Sequence, residues 1–373
     1  MSMISPFLDY LQVLMLYVDV PFYHNKDTLS IQIGHHLLNM NYDPPFKRAI
    51  LESGAPSARA VHPYDSPLHE QQFHEFLQVA GCSGRPDSEI FPCLRSQPSP
   101  VVINASFRIF DKYNPSLRWA FQPVIDGDII ARRPTLSWEH GKWHKMPLMT
   151  GFCHNEASSY VSHTTNSSNE FEQFWRTLLP ELFAGDRQEV MTLYPDPSTD
   201  TASPYVETRP LPQLGSQFKR AEAAYAHYAY VCPVRATAHF ASSEQPVYLY
   251  HWALNKSVEL GANHGDNLPY EAFSRSTRSS SSAPGQKQLA RIVHAYWTSF
   301  ITQSGDPNRL GTDFERPTWE AFRPEKQQLM VFGEGNDELT GGEQVGILAQ
   351  VRRDDWAVRE CHFWWSKAKM IHQ

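Results

Sequence analysis

Hydrophobic positions along this chain fall into short apolar runs closed by Gly or Pro, separated by longer stretches of helical spacing. In FKRAILESGAP the core RAIL, residues 48–51, is stopped by Gly54 and Pro56, so it predicts a buried strand running into a loop. KMPLMTGF at 145–152 predicts a second buried strand ending in a Gly-containing turn. QPVYLYHWAL at 245–254, rich in Val, Tyr and Trp, predicts a third, and QLMVF at 328–332 a short fourth. Between them IGHHLLNM, 33–40, reads as the end of a helix, and LHEQQFHEFLQVAGC, 68–82, as an amphipathic helix ending at Gly81. FEQFWRTLLPEL and RQEVMTLYP give two further helical pieces. FKRAEAAYAHYAYVCPV, from 218, reads as a long Ala/Tyr helix that must change course near Pro233. The plainest helix places Leu289, Ile292, Val293, Tyr296, Trp297, Phe300 and Ile301 on one face before SGDPN ends it. SRSTRSSSSAPGQ, 274–286, is low in complexity and reads as a mobile loop. No repeat is evident. Strands alternating with helical stretches predict an α/β fold with a mostly parallel sheet.

The chain has 373 residues, 41% apolar and 13% aromatic, which suits a buried core and argues against disorder. The formal net charge is -7 and no long basic run occurs, so nucleic acid is not an expected partner. The opening SPFLDYLQVLMLYVDVPF is apolar, but it lacks a basic start, and Asp9 and Asp19 interrupt it. It fits neither a signal peptide nor a transmembrane span. It reads as a buried strand or helix, or as an artefactual N-terminus.

None of the cysteines Cys82, Cys93, Cys153, Cys232 and Cys361 forms a CxxC pair, which excludes a zinc ribbon or a thioredoxin-type site. Cys82 and Cys93 bound CSGRPDSEIFPC, a short loop that could close as a disulfide worth roughly 3 kcal/mol, or hold two unrelated thiols. Sequons at Asn104, Asn166 and Asn255 carry little weight in so Ser-rich a chain.

Seventeen histidines make metal binding the first chemistry to weigh. HEQQFH at 69–74 is one residue longer than the zinc-protease HExxH. At i and i+5 its imidazoles diverge by about 140° around a helix and cannot share an ion. GEGNDE, from 333, lacks the third glycine and the following helix of a dinucleotide fingerprint, and there is no Walker-type loop. No metal and no cofactor are expected.

Ser/acid/His chemistry is better supported. It needs an imidazole to take the nucleophile's proton and a carboxylate to hold that imidazole in one tautomer. In an α/β-hydrolase each group sits on a loop after a strand, in chain order Ser, Asp/Glu, His. Here the second strand runs into CHNEASSY, placing Glu156 past its end, and the third is followed by GANHGDNLPY, with His264.

These residues resemble the type-B carboxylesterase and lipase family, the cholinesterase-like branch of the α/β-hydrolases. FKRAILESGAP is similar to the family's strand after the nucleophile elbow, with its Ser-Gly turn. GCSGRPDSEIFPCLRS resembles its disulfide loop, FQPVIDGDII its Pro-Val-Asp-Gly segment and PLMTGFCHNEASSY its acid loop. ANHGDNLPY resembles the histidine loop, and YWTSFITQSGDPN the late helix. The likeness runs from about residue 33 to about 332. It implies an α/β-hydrolase fold with helices on both faces of the sheet and hydrolysis of a small-molecule carboxylic ester through an acyl-enzyme. It also implies that Glu156 is the triad acid, that His264 is the general base and that Cys82 and Cys93 form a disulfide. A disulfide suits secretion or the secretory pathway. Ser53 falls where the family has a second serine near the histidine, and is read as structural.

The nucleophile is missing. No G-x-S-x-G pentapeptide occurs in the chain, and the family's glycine-rich oxyanion loop has no counterpart. At the elbow's place stands NKDTLSIQ, with Asp27 near the nucleophile position, Asn25 and Leu29 for the glycines, and Ser30 the only serine nearby. The expectation is a C-terminal portion of a carboxylesterase domain over residues 33–373. Its N-terminal strands would be missing, and residues 1–32 form an atypical segment, so the chain as given would be inactive. The alternative is a true pseudoenzyme, a non-catalytic binding protein on the same fold.

Overall fold

The computed structural model describes residues 27–209, 211–256, 259–278, 284–335 and 346–373, with only the backbone for Asp27–Leu29 and Pro284. The apolar opening stretch and Asn25 lie outside the described residues. In chain order the helices are α1 (Asp27–Leu38), α2 (Pro67–Val79), α3 (Asp87–Ser96), α4 (Ser99–Tyr113), α5 (Pro134–Glu139), α6 (Ser168–Leu178), α7 (Ala184–Leu193), α8 (Phe218–Ala226), α9 (Cys232–Ala241), α10 (Leu268–Glu271), α11 (Arg275–Arg278), α12 (Pro284–Thr302) and α13 (Val358–Lys367). The strands are β1 (Ala49–Glu52), β2 (Leu148–Cys153), β3 (Val247–Trp252), β4 (Gln328–Glu334) and β5 (Ile347–Arg353).

The strands form one sheet in the order β1-β2-β3-β4-β5. The first three pairings are parallel and β4 pairs β5 antiparallel. Side chains alternate between two cores, as a strand's period of two requires. Leu148, Phe152, Val247, Leu249, Leu329 and Val331 face one core, with α9 and α13. Met149, Cys153, Tyr248, Tyr250, Trp252, Met330 and Phe332 face the other, filled by α12. Strands buried on both faces read as continuous apolar runs, which is why the sequence announced β2 to β4; β1, with Ile50 and Glu52 half-buried, shows only a short apolar core. The helical stripe of α12 is buried as its spacing predicts, apart from Ile301, which is half-buried. Burying one such side chain fully, Phe300 for example, contributes about 1.5–3 kcal/mol. Helices therefore cover both faces of a mostly parallel sheet.

Several elements depart from expectation. The chain stays helical from Phe218 to Ala241, and the change near Pro233 is a π turn over His227–Val231. Pro233 follows at the start of α9; it has no N–H to donate back into the π turn, and the carbonyl of Tyr228, five residues earlier, accepts Gln373 Nε2 at 2.9 Å instead. Within 274–286, Arg275–Arg278 forms α11 and α12 begins at Pro284, while Ser274 is non-helical and 279–283 lie outside the described residues. Within CSGRPDSEIFPC, residues from Asp87 onward are helical, with Pro92 inside α3.

Cys82 and Cys93 are bonded, and they staple a small separate core under α2, α3 and α4. A second disulfide, Cys232–Cys361, ties α9 to α13, leaving Cys153 as a buried thiol. Among the described residues, no helix is long and apolar enough to cross a membrane.

Candidate active site

Because β2 and β3 are parallel neighbours in register from Leu148↔Val247 to Cys153↔Trp252, their C-terminal ends emerge together. Chain leaving such ends is where α/β sheets build their sites. The loop after β2 carries Glu156 and the loop reached from β3 carries His264. The two loops meet as a short parallel bridge between Asn155 and Asn263, closed by Asn155 N–H donating to Ala262 O at 2.9 Å.

Across that junction His264 Nδ1 lies 2.6 Å from Glu156 Oε2, the two residues being 108 apart in sequence. The Glu156 side chain is fully buried and that of His264 is 6% exposed. The other carboxylate oxygen, Oε1, accepts the Cys153 backbone N–H at 2.6 Å. A carboxylate held from both sides accepts Nδ1–H and fixes the tautomer in which Nε2 is the basic atom. Around the imidazole stand Tyr160, edge-on at 5.8 Å between ring centroids, and Tyr230 at 5.2 Å. Arg59 donates to the Tyr230 hydroxyl at 2.6 Å and lies over the Trp119 ring.

A polar scaffold fixes both loops. Asn155 accepts Ala262 N–H through Oδ1 at 3.0 Å and donates through Nδ2 to Glu222 Oε1 at 2.6 Å. Ser158 Oγ contacts the same Glu222 oxygen and Leu260 O. Arg209 pairs with Glu222 and Glu207 and donates to Glu259 O. Glu222 is buried on α8, so a charge cluster beneath the site holds the chain from 259 to 262 in place. Asn263 N–H donates to Asp266 Oδ2 at 2.8 Å, shaping the turn that presents His264. Sequence reasoning missed Asn155, Glu222 and Arg209. Glu222 sits in an Ala-rich helical stretch that nothing marks as buried.

The other nucleophile candidates are committed elsewhere. Ser30 Oγ donates to Glu52 O and accepts Glu52 N–H, each at 2.8 Å, so this buried serine seals the end of β1. The Asp27 side chain is outside the described residues. Ser53, in left-handed conformation at φ 49, turns the chain after β1, and its hydroxyl lies 3.9 Å from Cys153 Sγ. Burial above all, then the Glu156 carboxylate, pushes the Cys153 thiol well above its ordinary value, so it stays protonated and unreactive.

The sequence pattern of the carboxylesterase family matches residues 31–349. The chain belongs to the carboxylesterase family. It is 28% identical over 324 residues to Secreted lipase 4 of Gibberella zeae, a match spanning 86% of this chain and 54% of that protein. It is 27% identical to the inactive carboxylesterase-like protein VdtD of Byssochlamys spectabilis, over 87% of this chain and 60% of that one. It is 24% identical to acetylcholinesterase of Bungarus fasciatus, over 80% and 50% respectively. This carboxylesterase-family chain thus spans about half the length of the curated relatives it matches. Its fold superimposes on the crystal structure of Aspergillus niger EstA with a TM-score of 0.71 at 20% identity, covering 92% of this chain and 63% of that one.

Proposed function

We propose that Glu156 and His264 are the acid–base half of a serine-esterase site acting on carboxylic esters. Glu156 orients the ring through Nδ1, and Nε2 is the atom that takes the proton of a serine hydroxyl and later returns it to the leaving alcohol. The observation that carries this reading is the 2.6 Å bond from a fully buried carboxylate to Nδ1. Ester hydrolysis is supported by the family and by the lipase among the relatives. The two disulfides and the word "secreted" in that relative's name support a secretory route. We take residues 33–373 as the C-terminal portion of the hydrolase domain and 1–32 as a segment apart from it.

In this reading the 373 residues form no acyl-enzyme by themselves. They contain no G-x-S-x-G, Ser30 is bound to the Glu52 backbone, and Cys153 is buried and protonated. A second reading, a non-catalytic binding protein, draws support from that same lack and from the relative named as inactive.

The test is treatment of the purified chain with an activated phosphonate, followed by intact-mass analysis. No stoichiometric serine adduct is expected, and an adduct would overturn the claim of inactivity. A G-x-S-x-G segment encoded just upstream and joining in frame to IGHHLL would sink the binding-protein reading.

A further inference from the structure

We propose that His62, Glu181 and His372 bind a Zn²⁺ ion that staples three separate stretches of the chain. One ligating atom from each lies within 4.8 Å of the others. Tetrahedral bonds of about 2.0–2.1 Å require roughly 3.3 Å between ligand atoms, so binding would draw the three side chains together by rotation. Two imidazole nitrogens and one carboxylate oxygen suit zinc and leave a fourth position for water, whereas Mg²⁺ and Ca²⁺ prefer all-oxygen sets. The three residues are half-buried, so an ion can enter.

The three stretches are already held against one another. Val61 N–H donates to His372 O at 2.7 Å, and the His62 and His372 rings lie 4.6 Å apart between centroids. His372 is flanked by anchors: Ile371 is fully buried and Gln373 Nε2 donates to Tyr228 O at 2.9 Å. Its backbone is left-handed at φ 59, which a non-glycine residue adopts only where its surroundings impose it. Burial holds both imidazoles below their ordinary value, which favours the neutral, ligating form. Arg118 near His62 and Arg133 near His372 oppose a cation, and Glu181 offsets part of that repulsion. The site departs from the expectation of no metal, which rested on short spacings such as HEQQFH. These ligands are scattered along the chain and meet only in the fold.

The test uses the full chain, oxidised, stripped with chelator and titrated with Zn²⁺ against a chromogenic competitor. Co²⁺ substitution reports the geometry. Expected are one-to-one binding, tetrahedral Co²⁺ absorption bands and a Tm rise of about 2–4 °C at saturating zinc. Affinity should fall at least about 100-fold in His62→Asn, His372→Asn and the milder Glu181→Gln, and stay unchanged in His140→Asn on the exposed surface. Far-UV circular dichroism confirms that each variant folds. No binding by the wild-type chain, or binding that Glu181→Gln leaves intact, overturns the site.

Discussion

The side-chain oxygen of Asn155 occupies the space where a β-carbon on Gly261 would fall, 2.2 Å away. Gly261 is also left-handed, at φ 64. The acid loop and the histidine loop can therefore close on each other only because one carries an amide and the other no side chain. The same amide reaches Glu222 below, so one residue couples both loops to a buried charge.

Gly261→Ala should accordingly cost about 2–4 kcal/mol, combining backbone strain with displacement of a buried amide. Urea denaturation at pH 7 measures it. An unchanged midpoint would mean that the loop junction is not fixed as described.

The two disulfides should differ in worth. Cys232 and Cys361 are 129 residues apart and Cys82 and Cys93 only 11. Chain entropy assigns about 5 kcal/mol to the long loop and about 3 kcal/mol to the short one. Cys232→Ala/Cys361→Ala should unfold at lower denaturant than Cys82→Ala/Cys93→Ala, and the reverse order would show that loop length does not set the difference.

Acid should destabilise the fold through His35. Burial above all, then its neighbour His36, lowers His35 to about 4. The unfolded chain takes up this proton near pH 6.5 and the folded chain only near pH 4. The stabilisation is thus present above pH 6.5 and is lost as pH falls from there toward 4. At pH 5 the loss is about 2 kcal/mol. In His35→Leu the stability difference between pH 7 and pH 5 should shrink by that amount. Buried His227, lowered to about 3, would retain part of the slope.

The sheet was legible because β2 to β4 are buried on both faces and leave apolar runs that Gly and Pro delimit, while β1, half-buried on one face, is marked by its short Ala-Ile-Leu core before Gly54. β5 was not: ILAQVRR is an antiparallel edge whose residues are half-buried or exposed, so neither alternation nor a run marks it. The placement of Glu156 and His264 on loops past the ends of β2 and β3 was legible from the order of strands and loops, and the fold brings the two side chains together. Their supports were not, because Asn155, Glu222 and Arg209 matter through packing between distant stretches. The Cys232–Cys361 bond was hidden for the same reason. Its partners lie on two helices, and only their packing against one sheet face brings them together.

If Glu156 holds the Nδ1–H tautomer of His264, proton NMR of the ¹⁵N-labelled chain observes that proton itself. One far-downfield ring proton, correlated to Nδ1 of His264, is expected, and it should disappear in Glu156→Gln while the rest of the spectrum stays folded. A His264 whose proton sits on Nε2, or a downfield signal that survives Glu156→Gln, would contradict it.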